Sequence, residues 1–173
     1  QRGNNNVYCQ DSELSWMDWT LAERNADQLA FTRAMTALRA AHPVFRRRRF
    51  FEGRPICGGD EVRDIAWLTP AGDEMTQQDW GSEFGRCVMV FLNGEALPEP
   101  DLRGQRIIDD SFLLCFNAGE TPVDFMTPNT DYAQVWTAVI DTAHPAGSTD
   151  LVVDAGQAVT GLGRSLTVLC KSR

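Results

Sequence analysis

The sequence has little basic charge and no long apolar run. It carries 16 lysines and arginines against 24 acidic residues, which gives a formal net charge of −8. A globally acidic surface repels the phosphate backbone, so we expect no nucleic acid partner. No apolar stretch in the chain approaches the roughly 20 residues that a membrane helix needs, so we expect no membrane partner either.

Compact motifs for metal or nucleotide chemistry are also missing. The two histidines, His42 and His144, each precede a proline and have no cysteine or acid at metal-ligand spacing. Gly161-Leu162-Gly163 is too short for a nucleotide fingerprint, and the sequence has no phosphate-binding loop or Gly-x-Ser-x-Gly elbow. We therefore expect no metal site and no cofactor.

The five cysteines are scattered, with no Cys-x-x-Cys pair. An odd number of cysteines cannot pair completely within one chain. Cys87, Cys115 and Cys170 lie inside apolar runs, where a free cysteine behaves as a small hydrophobe. We expect reduced thiols and a cytoplasmic protein.

Residues 20–42 are predicted to form one helix. Thr20 and Glu23 have the spacing of a capping box, in which each side chain accepts from the other residue's backbone N–H. Apolar residues recur at steps of three and four and would line one face: Phe31, Ala34, Met35, Leu38 and Ala41. Pro43 would end the helix, because it lacks an N–H and disfavours helical geometry at His42.

From about residue 62 the pattern changes to short runs rich in β-branched and aromatic residues, separated by turn signals such as Asn93-Gly94. The predicted strands are 64–68, 86–93, 111–117, 122–126, 133–141, 149–154 and 165–171. Residues 87–92 and 112–116 are continuously apolar, as expected of strands that are covered on both faces. Seven short strands with turns between them predict a mainly β protein, an antiparallel β-sandwich.

A dense group of polar side chains lies near the start of the chain: Asn4, Asn5, Asn6, Tyr8, Gln10 and Asp11. Amides and a carboxylate can satisfy sugar hydroxyls, and an aromatic ring can stack on a sugar face. The group therefore suits a poly-hydroxylated ligand. The alternative is a plain hydrogen-bonded turn cluster, which composition alone favours.

Several blocks follow one another in a characteristic order and cover most of the chain. They are GNNNVYCQD (3–11), SWMDW (15–19), AHPVFRRRRFF (41–51), DIAWLTPAGDEMT (64–76), VFLNG (90–94) and DDSFLLCFNA (109–118). In these blocks the sequence resembles the glycogen-debranching enzymes of the isoamylase branch of the α-amylase superfamily. Such enzymes hydrolyse α-1,6 branch linkages of glycogen or limit dextrin by a retaining mechanism.

The resemblance implies a domain organisation. Residues 1–55 would be the C-terminal end of a catalytic (β/α)8 barrel, with its Asn-rich loop and its last helix. Residues 56–173 would be the amylase-type C-terminal β-sandwich domain. The chain would then be the C-terminal third or less of such an enzyme. The Asn-rich loop would lie beside the active-site cleft, where Tyr8 would stack on a sugar ring and Asp11 would orient the loop.

The same resemblance implies that no catalytic residue lies in this chain. Retaining glycosidases need two carboxyl groups about 5 Å apart, and in the family these lie upstream of the Asn-rich loop. Asp11 and Glu13 imitate an acid pair, but neighbouring loop carboxylates are usually solvated or cap a helix. Residues 58–61 read Gly-Gly-Asp-Glu, a family motif in the wrong place, and are predicted to be a turn. The chain alone should be inactive.

The expected partner of the complete enzyme is an α-glucan, glycogen or limit dextrin. Without the barrel, the helix face at Phe31, Met35 and Leu38 would be bare. We expect this face to pack against the sandwich, to pair with a second copy, or to be covered by the missing N-terminal catalytic portion. The four arginines of residues 46–49 are expected to pair with acidic neighbours, with their stems on apolar surface; phosphate binding is the alternative.

A different class of function stays open, a non-catalytic β-sandwich module for glycan binding or structural support. Glycan binding would need exposed aromatic side chains on one face. Trp67 and Trp80 are the candidates, although the position of Trp67 in a strand favours a core role. Trp16 and Trp19 could also be sugar platforms, but their place at the start of a helix favours packing. A protein-interaction domain is the third possibility.

Overall fold

The computed structural model describes residues 8, 11–13, 15–53, 62–82, 85–144 and 151–171. Within these ranges eight strands form two antiparallel sheets, one with the order β1-β2-β3-β8-β5-β6 and one that pairs β4 with β7. The strands are β1 (Ile65–Leu68), β2 (Cys87–Leu92), β3 (Ser111–Asn117), β4 (Val123–Met126), β5 (Val135–Asp141), β6 (Val152–Asp154), β7 (Ala158–Gly161) and β8 (Ser165–Lys171).

The seven strands predicted from the sequence all occur, within a few residues of their predicted bounds. The strand that sequence reasoning missed is β7, whose run Ala-Val-Thr-Gly is short and only weakly apolar. It pairs with β4 from Val123↔Gly161 to Met126↔Ala158. Gly161 has no room for a side chain, because an added Cβ would lie 2.7 Å from Cε2 of Phe125.

The helices of the described residues are α1 (Leu21–Arg24), α2 (Ala26–Ala41) and α3 (Gln77–Trp80). The single helix predicted for residues 20–42 is wrong, because the backbone of Asn25 has φ −116° and ψ 40° and separates α1 from α2. The helical segment ends as predicted, with His42 extended before Pro43, which opens the 3₁₀ turn Pro43–Arg46.

The capping box predicted at Thr20 is also wrong. Thr20 makes no side-chain capping hydrogen bond. Its hydroxyl instead donates to Oδ1 of Asp18 at 2.6 Å, and the same oxygen accepts from the Thr20 backbone N–H at 3.0 Å. A capping box does form at α3, between Thr76 and Asp79.

The main core lies between the two sheets, where large side chains of the six-stranded sheet meet Phe125 of β4 and Val159 of β7. These side chains are Met89, Phe91, Leu113, Cys115, Trp136 and Leu169. Trp136 is fully buried, and the Phe91 ring meets it edge to face. Fully burying one such side chain is worth roughly 1.5–3 kcal/mol. The predicted sandwich is confirmed.

A second core lies on the opposite face of the six-stranded sheet, beneath α2. Its buried members include Val90, Leu92, Phe112, Val168 and Cys170 of the sheet, with Val44 from the 3₁₀ turn. Phe31, Met35 and Leu38 of α2 pack against these residues and are partly buried. The helix face thus packs on the sandwich, which was the first of the three expected arrangements. β2 and β3 are covered on both faces where α2 lies.

No disulfide joins the cysteines of the described residues, Cys87, Cys115 and Cys170. Burial in the main core raises the pKa of Cys115 to about 12, so this side chain is a protonated, weakly reactive thiol at neutral pH. Desolvation also raises the pKa of the partly buried Cys87. The expectation of reduced thiols is met for these three cysteines; Cys9 and Cys57 lie outside the described residues.

Candidate functional site

The predicted substrate-proximal group is described in part. Four of its members lie outside the described residues: Asn4, Asn5, Asn6 and Gln10. Tyr8 is 82% exposed. Asp11 accepts a hydrogen bond from Nε1 of Trp16, with 2.7 Å between Nε1 and Oδ1. This bond orients the Trp16 ring and ties the end of the Asn-rich loop to the segment that leads into α1.

Trp16 and Trp19 are 59% and 80% exposed. The expectation that they pack at the helix start is wrong for this chain. The short α1 that follows has no buried residue either. Together with Tyr8 they leave three large aromatic side chains exposed in the N-terminal segment. Exposed large aromatic side chains are typical of a surface that meets a partner or a ligand.

Two buried carboxylates hold the segment after α2 against the sandwich, and Asp109 is the first of them. Its Oδ1 lies 2.8 Å from Nδ1 of His42 and accepts from the backbone N–H of Asp110 at 2.9 Å. Its Oδ2 accepts from the buried backbone N–H of Val44 at 2.9 Å. The His42 ring also meets Phe112 edge to face, with centroids 4.8 Å apart. The end of α2 is therefore attached to the start of β3.

Asp64 is the second carboxylate and lies just before β1. It accepts from Nη1 of Arg47 at 3.1 Å and from the backbone N–H groups of Glu52 and Gly53 at 3.0 and 2.9 Å. The Arg47 guanidinium lies 3.9 Å from the centre of the Phe51 ring. Of the four arginines, Arg47 therefore pairs with an acid as expected, and its buried side chain fixes the chain between α2 and β1.

Both oxygens of each carboxylate accept hydrogen bonds from donors within the chain. Buried acids that are satisfied in this way have a structural role and not a catalytic one. We call the contacts of Asp64 and Asp109 the carboxylate clamps. Sequence reasoning missed them. Asp64 directly precedes β1, and Asp109 lies two residues before β3. An acidic residue at the start of an apolar strand is the sequence signal that could have pointed to the clamps.

Trp67 and Trp80 face outward on the sheet side that also carries α2. Trp67 is 43% and Trp80 53% exposed, and their rings form an edge-to-face pair with centroids 5.5 Å apart. The expected core role of Trp67 is wrong, because α2 covers a different part of that sheet face.

No three histidine, cysteine or acidic side chains come together at a possible metal site within the described ranges. Among the same residues, no helix combines the length and the apolar content that crossing a membrane requires.

Residues 64–172 match the protein family described as Isoamylase, C-terminal. The chain belongs to this isoamylase C-terminal family. It is 63% identical over 172 residues to the glycogen operon protein GlgX homolog of Mycobacterium tuberculosis, covering 99% of this chain and 24% of that protein. It is 29% identical over 171 residues to a glycogen debranching enzyme of Dickeya chrysanthemi, covering 99% and 21%. The chain thus spans about a quarter of the length of these curated relatives.

Two solved structures share the fold of this isoamylase C-terminal chain. A pullulanase type I from Bacillus subtilis, complexed with maltose, aligns with a TM-score of 0.54 at 18% identity, covering 92% of this chain and 18% of that one. A pullulanase from Bacillus acidopullulyticus aligns with a TM-score of 0.58 at 17% identity, covering 98% and 16%. At this identity the likeness concerns the fold alone, and it agrees with the predicted amylase-type β domain.

The match to the isoamylase C-terminal family begins at Asp64, the acceptor of one carboxylate clamp. The donors of that clamp, Arg47, Glu52 and Gly53, lie before the matched segment. The predicted boundary between residues 55 and 56 falls in 54–61, outside the described residues, and stays a prediction. What the structure adds is that the segments on both sides of the boundary share one apolar cluster and two clamps.

Proposed function

We propose that this chain is the C-terminal portion of a glycogen-debranching enzyme that hydrolyses α-1,6-glucosidic branch linkages of glycogen or limit dextrin with a retaining mechanism. The observation that carries the proposal is the 63% identity over 172 residues to the GlgX homolog. The name of the Dickeya chrysanthemi relative supports it. The catalytic carboxylates would lie in the remaining three quarters of the enzyme, so the chain alone is inactive.

In this proposal residues 1–55 complete the catalytic barrel and residues 56–173 form the C-terminal domain. The carboxylate clamps support this organisation, because they would hold the last barrel helix, α2, in a fixed position on the sandwich. The missing catalytic portion is the partner we propose for Trp16 and Trp19 and for the part of the α2 face that stays exposed. The proposed location is the cytoplasm, which the reduced state of the described cysteines supports.

The proposed contacts with the α-glucan come from the Asn-rich loop: Asn4, Asn5, Asn6, Tyr8, Gln10 and Asp11. The amides would exchange hydrogen bonds with sugar hydroxyls, and the Tyr8 ring would stack on a sugar face. The high exposure of Tyr8 supports its part. The bond between Asp11 and Trp16 supports the role of Asp11 in orienting the loop.

Kinetics on the complete enzyme tests this site. In the longer polypeptide we expect Tyr8→Ala to lower kcat/KM for limit dextrin by about five- to tenfold, since an aromatic contact is worth roughly 1 kcal/mol. The matched control is Tyr132→Phe, which keeps the ring that meets Phe91 edge to face and should leave kcat/KM unchanged. A Tyr8→Ala enzyme with wild-type kinetics would remove Tyr8 from the substrate site.

Proton NMR of the first products should show the α-anomer, as retention requires.

A further inference from the structure

The outer face of the six-stranded sheet has a second region, which borders the part that α2 covers and shares the buried Val90 with the second core. Trp67 of β1 lies opposite Val90 of β2, and Val88 lies opposite Phe116 of β3. Residues that face one another in an antiparallel pair point to the same side, as do residues two apart in a strand. These side chains therefore form one apolar floor on β1, β2 and β3, in a groove of about 610 Å³.

Trp80 forms a wall of this groove and is fixed there by local hydrogen bonds. The capping box of α3 joins Thr76 and Asp79, with 2.7 Å between the Thr76 hydroxyl and Oδ2 of Asp79. The backbone N–H of Met75 donates to the carbonyl of Trp67 at 2.9 Å. These bonds hold α3 beside β1, and they place the Trp80 ring against that of Trp67. The two indoles are thus positioned in advance, which lowers the entropic cost of binding.

The rim of the groove is polar and includes Asp79, Ser82 and Arg86. Hydrogen bonds from the Thr76 side chain and backbone lower the pKa of the Asp79 carboxyl, so this group is an ionised acceptor at neutral pH. Arg86 is exposed, and no hydrogen bond or ion pair engages its guanidinium among the residues that the structure describes, so its five N–H groups can act as donors. Aromatic floor and polar rim together are the chemistry of a carbohydrate site.

Charge and size favour a neutral sugar chain over a protein segment. Among the described residues that line the groove, the charged side chains are one carboxylate, Asp79, and one guanidinium, Arg86, and their charges cancel on a chain whose net charge is −8. The groove therefore has no net electrostatic potential that would attract a charged ligand. The groove volume falls in the range of small-ligand sites, roughly 300–1,000 Å³. A stable protein interface would need roughly 800 Å² from each partner.

We propose that this groove is an α-glucan-binding site separate from the Asn-rich loop, in which a linear maltodextrin chain lies against Trp67 and Trp80 and is hydrogen-bonded by Asp79 and Arg86. The choice of an α-glucan rests on the proposed function. Such a site would hold an outer chain of glycogen on the C-terminal domain.

Titration of the 173-residue chain with maltoheptaose, followed by isothermal calorimetry and tryptophan fluorescence, tests the proposal. We expect saturable binding that Trp80→Ala weakens at least fivefold. Trp80 lies on the exposed surface of a short helix, so its removal should leave the fold intact, which circular dichroism checks. Trp67→Leu keeps an apolar side chain on β1 and should weaken binding to a similar extent. Phe50→Ala, which removes an exposed aromatic ring outside the groove, should bind as wild type.

Other outcomes would overturn the proposal. Wild-type affinity in Trp80→Ala, or equal affinity for cellopentaose, would exclude a specific α-glucan site at the groove. A dimer that Trp80→Ala dissociates in analytical ultracentrifugation would assign the groove to a second copy of the chain. Failure of the proposed debranching function can be distinguished from failure of this site. If the longer polypeptide proved inactive, maltoheptaose binding that depends on Trp80 would still be observed.

Discussion

Asp109→Ala is expected to lower the free energy of unfolding by about 3–5 kcal/mol, the usual cost of breaking a buried, hydrogen-bonded charge contact. Three donors lose their acceptor at once: Nδ1 of His42 and the backbone N–H groups of Val44 and Asp110. Val44 is buried in the second core, so water cannot easily replace the carboxylate at its N–H. The packing of the 3₁₀ turn and the end of α2 on the sheet depends on these bonds.

Urea unfolding measures the effect, with a lower midpoint at an unchanged slope if the native state alone is affected. Asp109→Asn keeps an acceptor oxygen and should lose less stability than Asp109→Ala. The matched control is Asp131→Ala at an exposed turn, which should change stability by no more than about 0.5 kcal/mol. A loss below about 1 kcal/mol in Asp109→Ala would show that the clamp does not hold α2 on the sandwich.

Gly94→Ala is expected to cost about 3 kcal/mol, the upper end of the usual range for overpacking. An added Cβ would overlap the backbone carbonyl oxygens of Asp109 and Asp110, which cannot rotate away as a flexible side chain can. Gly94 is also held on both sides, since its N–H donates to the Ser111 hydroxyl at 3.1 Å and its carbonyl accepts from Asp109 N–H at 3.0 Å. The backbone must therefore shift at the start of β3.

The matched control is Gly81→Ala, where the new Cβ would lie 3.6 Å from the nearest oxygens, an ordinary contact. Its thermal midpoint should stay within a few degrees of wild type. Because Gly94 touches the backbone of Asp109, Gly94→Ala and Asp109→Ala damage the same clamp, and the double variant should lose less than the sum of the single losses. Full additivity, or a Gly94→Ala protein as stable as the control, would contradict this account.

Sequence periodicity and turn chemistry predicted most of the β domain, because its strands are apolar or alternating runs between clear turn residues. The Trp136 strand alternates buried and exposed residues along its length, and such a pattern can be read from one sequence. β7 could not be found in this way, since its partner β4 lies more than 30 residues earlier and supplies the apolar contacts that the short run lacks.

The role of Trp67 and the carboxylate clamps could not be predicted, because both depend on contacts between distant residues. Trp67 has the sequence of a core strand residue, and only the position of α2 on the sheet decides that its side is exposed. The partners in the Asp109 clamp, His42 and Asp109, are 67 residues apart, beyond any spacing rule. The capping box at Thr20 failed for a local reason, because the Asp18 carboxylate accepts the hydrogen bond of the Thr20 hydroxyl.

The measurement that tests the central claim most directly is debranching of glycogen by this chain, alone and mixed with the missing N-terminal portion of the proposed enzyme. Release of linear maltodextrins is followed by reducing ends. We expect no release by the chain alone and clear release by the mixture, because the catalytic acids and the Asn-rich loop would then meet. Debranching by the chain alone would place catalytic acids within these 173 residues and would contradict the account.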